Sequence, residues 1–177
     1  MSNVLVGSKV QLVPIEERHL DYMMEHVNNI EMRVLLGSFM PTTRNMQKEW
    51  IQSLGELIKK RQGFHFAIEK IPEAIMIGSL VVYEIDWLSR SGELAIAVYE
   101  EENWNKGYGS EALRLLIDFA WTHLNLRRLE LAVHSHNPRA KHVYEKIGFK
   151  HYGTAHEKYY INGQFVDTNY LELFRST

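Results

Sequence analysis

Between a run that reads as a strand, Gly92 to Tyr99, and a run that reads as a helix, Glu111 to Leu124, the chain carries Asn103-Trp104-Asn105-Lys106-Gly107-Tyr108-Gly109-Ser110-Glu111-Ala112. No other stretch limits the fold and the chemistry as tightly. The first backbone N–H groups of a helix have no partner within it, and the helix dipole places positive potential at that end. A glycine-spaced turn that opens into such a helix can hold an anion, a phosphate above all. Gly107 and Gly109 let the backbone approach that anion with no Cβ in the way, and they permit φ above zero. An ordinary strand-to-helix loop is the competing reading, and a lone Gly-x-Gly does not decide between the two.

Two phosphate motifs can be tested against this stretch. The P-loop needs Gly-Lys followed by Ser or Thr, and here Lys106 precedes the glycine, so that motif fails. Gly107 to Ala112 matches the dinucleotide fingerprint G-x-G-x-x-A, and Glu130 stands at roughly the 20-residue interval of that fingerprint. A nicotinamide-dependent oxidoreductase is therefore a second reading. It expects the turn early in a doubly wound sheet, whereas several strands and two helices precede this one, and the remainder of the chain is too short for a second nucleotide-binding half.

The 177 residues suit one domain, 1–177, with a real core. A formal net charge of −2 gives no general pull toward nucleic acid. The absence of cysteine excludes disulfides, thiolate metal sites and cysteine nucleophiles. Met1 to Gly7 shows no signal pattern, and the longest apolar run, near Ile75 to Tyr83, is too short for a membrane helix. A cytoplasmic protein with no membrane partner is the expectation.

Taken in order, Lys9 to Val13 alternates as a strand, with Pro14 after it. Glu16 to Asn28 reads as a helix, Asn29 to Thr43 as irregular chain with Gly37 and Pro41, and Arg44 to Arg61 as a second amphipathic helix through Trp50, Leu54, Leu57 and Ile58. Phe64 to Lys70 and Ile75 to Ile85 read as an antiparallel hairpin around Ile71-Pro72-Glu73. Glu93 to Tyr99 is almost continuously apolar, as a strand buried on both faces would be. After the glycine turn and its helix, Arg128 to Val133 is the next strand, which implies a parallel crossover. Asn137 suits an N-cap, Pro138 the first helical position and Gly148 the C′ position of a further helix. The tail reads as a hairpin around Asn162-Gly163. The order β-α-α-β-β-β-α-β-α-β-β gives an α/β chain with a mixed sheet flanked by helices.

With the motifs placed, Asn103 to Leu113, then Asn137-Pro138-Arg139-Ala140, then Tyr144-Glu145-Lys146-Ile147-Gly148-Phe149 resemble, in order and spacing, the GNAT superfamily of N-acetyltransferases. Tyr160 to Phe165 is similar to the branch holding ribosomal-protein N-terminal acetyltransferases and spermidine acetyltransferases. The resemblance implies a central mixed, mostly antiparallel sheet of about seven strands, and transfer of an acetyl group from acetyl-CoA as cosubstrate to a primary amine. That amine would belong to a protein N-terminus, a polyamine or a small molecule. The chain departs from the usual family turn at Trp104 and Asn105, and it carries Glu100-Glu101-Glu102 beside the turn, read as a solvated loop.

By resemblance, Trp104, Asn105, Lys106, Gly107, Tyr108, Gly109 and Ser110 bind the cosubstrate, with backbone N–H groups of Lys106 to Ser110 and the Ser110 hydroxyl as donors to its pyrophosphate. Ala95, Ile96, Ala97 and Val98 pair with the amide arm of the cosubstrate, and a backbone N–H there would stabilise a developing oxyanion. The resemblance also has Asn137 reach the cosubstrate and Tyr144 face the sulfur as general acid, against the plainer reading of Tyr144 as part of the apolar stripe of its helix; Arg139 and Lys141, in the first turn of that helix, are read either as phosphate contacts or as exposed surface charge. For the base, Glu93 is the first candidate, with Glu84 and Asp86 next. His134-Ser135-His136 has H-x-H spacing but lacks further ligands, so no metal is expected. A catalytically silent acyl-CoA-binding module is the third functional reading, and a homodimer is the assembly that the family commonly forms.

Overall fold

The structure is a computed structural model that describes residues 5–36 and 40–176. The readings made on Met1 to Val4 and on Gly37 lie outside those residues. The strands are β1 (Val10–Pro14), β2 (Gly63–Lys70), β3 (Ile75–Asp86), β4 (Ser91–Val98), β5 (Arg128–His134), β6 (Lys150–Ile161) and β7 (Gln164–Phe174). They form one sheet in the order β1-β2-β3-β4-β5-β7-β6. Every neighbouring pair is antiparallel except β4 with β5. This is the mixed, mostly antiparallel sheet that the motif order implied.

Helices α1 (Leu20–His26), α2 (Ile30–Leu36), α3 (Arg44–Lys59), α4 (Tyr108–Thr122) and α5 (Pro138–Ile147) flank the sheet. Alternation along β2 shows that both faces are covered. Phe66 and Ile68 join a large core with Leu80, Val82, Leu94, Leu129 and the α4 residues Leu113, Leu116 and Ile117. Ala67 points the other way, into a smaller cluster with Leu20, Met23, Ile51 and Leu54 from α1 and α3. Pro14 lies inside β1 rather than after it, which an edge strand tolerates because it loses no central ladder bond. Gly78 lets β3 and β4 close up, since a Cβ there would stand 2.2 Å from the Ala97 carbonyl oxygen. The Asn162-Gly163 hairpin has positive φ at both residues, 49° and 80°, as a type I′ turn requires.

Three sequence expectations need correction. The stretch 29–43 contains α2, a helix of seven residues. Such a helix is too short to show periodicity; its start is capped by the Asn29 side chain, which accepts from Met32 N, and Arg33 donates to Asn28 and Thr42. The helix expected over Glu16 to Asn28 begins as a 3₁₀ turn, Glu17–His19, closed by a reciprocal cap between Glu16 and His19. β4 is not covered on both faces: Ala95 is exposed and Ile96 to Val98 are half-buried.

A buried ion cluster ties α1 to the sheet. The Glu69 carboxylate is 1% exposed and accepts from Arg18 Nη1 (2.6 Å), His19 Nε2 (3.1 Å) and Gln11 Nε2 (2.9 Å). Burial pushes its pKa up, but the hydrogen bonds from His19, Gln11 and Arg18 outweigh burial and hold it below the usual carboxylate value. Glu69→Ala leaves the buried His19 without its partner and is expected to cost about 3 kcal/mol, the low end for a broken buried pair because Arg18 is half exposed. A carboxyl with a lowered folded-state pKa contributes stability above its unfolded value, and that contribution fades as pH falls through the folded value. Urea unfolding should therefore show the gap between wild type and variant at neutral pH and a smaller gap in acid. A gap below ~1 kcal/mol at pH 7 would place the cluster among merely surface-like pairs.

Candidate active site

β4 and β5 pair only over Ser91–Glu93 and Arg128–Glu130. Beyond that point β5 continues alongside β7 as far as the pair His134 and Thr168, and β4 runs on without a strand on that side. A cavity of about 400 Å³ opens in the gap. Ala95, Ile96, Ala97 and Val98 line one wall, the turn before α4 lines its end, and Asn137, Arg139, Ala140, Val143 and Tyr144 line the wall formed by α5. The apolar run that suggested a doubly covered strand is thus one wall of a cleft.

At the end of the cleft, Gly107 is the N-cap of α4 with φ of 87°, a left-handed conformation that favours glycine. No side chain caps this helix, in contrast to α5, where Asn137 Oδ1 accepts from Ala140 N at 3.1 Å. The bare amino end of α4 is the anion-holding geometry that the glycine spacing implied. The start of the chain braces it. The Glu111 carboxylate accepts from Ser8 N, Ser8 Oγ, Lys9 N and Val10 N, and Lys9 Nζ donates to the Lys106 carbonyl at 2.9 Å. Burial raises the Glu111 pKa, yet these hydrogen bonds prevail and lower it, so its charge is spent on residues 8–10 rather than turned against an anion. Sequence reasoning missed this brace because its halves lie about a hundred residues apart.

Trp104 and Arg139 join the two walls. Trp104 Nε1 donates to the Val98 carbonyl at 2.8 Å, and the Arg139 guanidinium lies 3.3 Å from the Trp104 ring centroid. Burial pulls the Arg139 pKa down, and Glu101 partly opposes it. Trp104, Asn105, Gly107, Tyr108, Gly109, Ser110, Asn137, Arg139 and Tyr144 all line the cavity, as do the four β4 residues. Lys106 and Lys141 do not; Lys141 reaches toward Glu145 on the exposed face of α5, at 4.0 Å.

Tyr144 is 8% exposed and belongs to the main core, with the Phe149 ring at 6.2 Å. Burial pushes its phenol up to about 12, so it stays protonated throughout the neutral range and can act as a donor. The carboxylates named from sequence stand elsewhere. Glu93 is outside the lining and accepts from Tyr83 Oη at 3.0 Å, while Tyr83 itself lines the cavity. Asp86 caps its own turn by accepting from Leu88 N, Ser89 N and Ser89 Oγ, and Glu84 is exposed with φ of 45°.

Met32, Tyr83, Tyr159 and Thr168 line the cavity but escaped the sequence reading, and His134, which lines it too, was weighed there only as a metal ligand. The one available signal was alternation along β5, which puts His134 on the face of Ala132 rather than that of Val133. His134 and His136 stack their rings face to face, 5.5 Å apart, rather than converging on a point. Glu101 and Glu102 are exposed, as a solvated loop would be, and Glu100 is half-buried. With His26, Asn29 and Tyr99 they line a second recess of about 330 Å³, which shares Met32 and Trp104 with the main cavity. Among the described residues no helix is long and apolar enough to cross a membrane.

The dinucleotide reading of the glycine turn falls at this point. The sheet is not doubly wound, and Glu130 is engaged at the far end of β5, accepting from Tyr152 Oη at 2.6 Å and pairing with Arg128.

Comparison with known proteins agrees with the geometry. Residues 9–150 match the family model described as an acetyltransferase (GNAT) domain. The spermidine N(1)-acetyltransferase of Escherichia coli K12 is 31% identical over 170 residues, 94% of this chain and 86% of that enzyme. The corresponding Vibrio cholerae enzyme is 33% identical over 101 residues, a match that spans 57% of this chain and 58% of the relative. In three dimensions, the crystal structure of V. cholerae spermidine N-acetyltransferase in complex with CoA and spermine superposes with a TM-score of 0.85 at 25% identity, covering 95% of this chain and 96% of that one.

Proposed function

The chain belongs to the GNAT acetyltransferase family, whose acetyl donor is acetyl-CoA, and from that premise we propose that one domain, 1–177, passes the acetyl group directly to a primary amine at one end of a polyamine. The observation that carries the reading is the unpaired edge of β4, bounded by the bare amino end of α4 at one end of the cleft and by Tyr144 on its α5 wall. These residues suit the donor in chemical terms. Backbone N–H groups at Gly107 to Ser110 are free of a capping side chain and can hold pyrophosphate. The strand edge at Ala95 to Ala97 can pair with amides, the Val98 carbonyl being held by Trp104, and Asn137 and Arg139 add polar groups opposite. The Tyr144 hydroxyl donates to the sulfur that leaves.

The choice of a polyamine rests on the relatives and on one feature of this chain. The recess lined by Glu100, Glu101 and Glu102 adjoins the cavity through Met32 and Trp104, and carboxylates there suit a second ammonium some distance from the reacting one. A panel of amines with acetyl-CoA, read by release of free thiol, tests the proposal. Spermidine and spermine should exceed peptide N-termini, amino acids and aminoglycosides in kcat/KM. A higher kcat/KM for a peptide N-terminus would contradict the polyamine, and no thiol release with any amine would contradict the acetyl transfer.

A further inference from the structure

We propose that His134 is the base of this reaction, the group that takes the proton which the acceptor nitrogen gives up as it bonds the acetyl carbon. This rests on the reading of the chain as an amine acetyltransferase. The splayed strands present two faces. Along β4, Leu94 is buried in the main core with Ile96 and Val98 packed against it, so Ala95 and Ala97 face the other way. Along β5, Leu129, Leu131 and Val133 are in that same core, so Ala132 and His134 turn to the opposite face. Tyr144 belongs to the main core. Tyr144 and His134 therefore reach one cavity from opposite faces of the sheet. A thioester seated between β4 and β5 would meet a donor for its sulfur on one side and an acceptor for the incoming nitrogen's proton on the other.

The imidazole is positioned for that task. His134 Nδ1 lies 3.3 Å from the hydroxyl of Thr168, its cross-strand partner, which is 1% exposed. With the Nδ1 proton donated to Thr168, the lone pair on Nε2 is left for the substrate. The Tyr159 ring stands edge-on to His134 at 5.0 Å, and His136 lies parallel at 5.5 Å. Burial is the main influence holding the imidazole below its ordinary pKa, with His136 and the Lys158 ammonium acting in the same direction. Lys158 itself is directed to the Tyr170 hydroxyl, and Asp167 is taken up by His156 and the Glu157 N–H. His134 is thus neutral at pH 7 and able to accept a proton.

Glu93, the base expected from sequence, is placed less well. It meets the cavity only through Tyr83, whose phenol is pushed up to about 12 by burial first and by Glu93 second. Tyr83 is then a hydrogen-bonding group and not a proton acceptor.

The acceptor ammonium, with a pKa near ~10, first loses one proton to bulk water; the neutral amine then forms the C–N bond with the carbonyl carbon, and the nitrogen becomes strongly acidic as it does so. Its proton passes to Nε2 of His134. The C–S bond breaks, and its electron pair goes to sulfur beside the Tyr144 hydroxyl. The imidazolium then returns its proton to water, leaving amide, thiolate and a second proton.

His134→Gln keeps a polar side chain but cannot take a proton. With the best amine of the panel, kcat is expected to fall on the order of 10²–10⁴-fold, with acetyl-CoA affinity and melting temperature unchanged. With the amine expressed as its neutral form, which removes the substrate's own ionisation, the acidic limb of kcat/KM should lie below the ordinary imidazole value of ~6.5 in the wild type and should disappear in the variant. Thr168→Val serves as the second variant; loss of the Nδ1 partner makes the imidazolium less stable, so the limb should move to lower pH. Wild-type kcat in His134→Gln, or an acidic limb that neither variant moves, would overturn the assignment while leaving acetyl transfer standing. A wild type that acetylates no amine would overturn both.

Discussion

Tyr144→Phe is expected to lower turnover about 10²-fold, the lower end of what acid catalysis contributes, with melting temperature and acetyl-CoA binding close to wild type. The variant removes one oxygen and nothing else. The ring keeps its edge contact with Phe149 and its place in the main core, so packing should hold. The lost function is help to the departing sulfur. A thiol ionises near ~8.5, so the thiolate leaves more easily when a donor meets it as the bond breaks. The buried phenol, at about 12, is a reluctant source of a full proton, and this sets the expectation at the low end. It remains a strong hydrogen-bond donor at a buried position, where hydrogen bonds are strengthened. Rapid-quench measurement of the chemical step is the check. An unchanged chemical rate would make Tyr144 a packing residue, with the thiolate leaving unaided.

Gly109→Asp should weaken acetyl-CoA binding by about 10² or more. Two unit charges 4 Å apart repel by about 4 kcal/mol at an effective dielectric of 20, which is on the order of 10³ in affinity before solvent and salt reduce it. The fold should survive for two reasons. A Cβ at this position would meet Val98 Cγ2 at 3.5 Å, an ordinary contact, and φ is not in the left-handed region. A carboxylate in the first turn of α4 is also favourable to the helix dipole. Gly109→Ala is the control, adding the Cβ without the charge, and should bind nearly as well as wild type. Calorimetric titration separates the cases; equal affinity in Asp and wild type would remove this turn from pyrophosphate binding. Gly107 offers no such clean test, because its φ of 87° makes any substitution strained.

What could be read from the sequence was local. The β4–turn–α4 stretch, the capped start of α5 and the Asn162-Gly163 hairpin each carry turn or cap chemistry within a few residues, and each is present, although α4 begins at Tyr108, three residues before the expected Glu111. The branch point of the site was not legible. An apolar run such as Leu94 to Val98 looks the same whether its cover is protein or a ligand, so the splay from β5 appears only with the strand register. Long-range partners were equally hidden. Nothing near Glu111 announces Ser8 and Lys9, and nothing near His134 announces Thr168. Glu93 and Asp86 drew attention as carboxylates, yet one is engaged by Tyr83 and the other by its own turn. α2 was missed because its seven residues are too few to show a period, and the contacts of Asn29 and Arg33 that support it are polar.

The most direct test of direct acetyl transfer in the cleft is a rapid-quench time course of thiol release from acetyl-CoA, run with and without spermidine. Direct transfer predicts no thiol in the first turnover without the amine, and with it one thiol for each acetylated amine. A burst of thiol in the absence of amine would show that the acetyl group passes first to the protein, and would contradict direct transfer between β4 and β5.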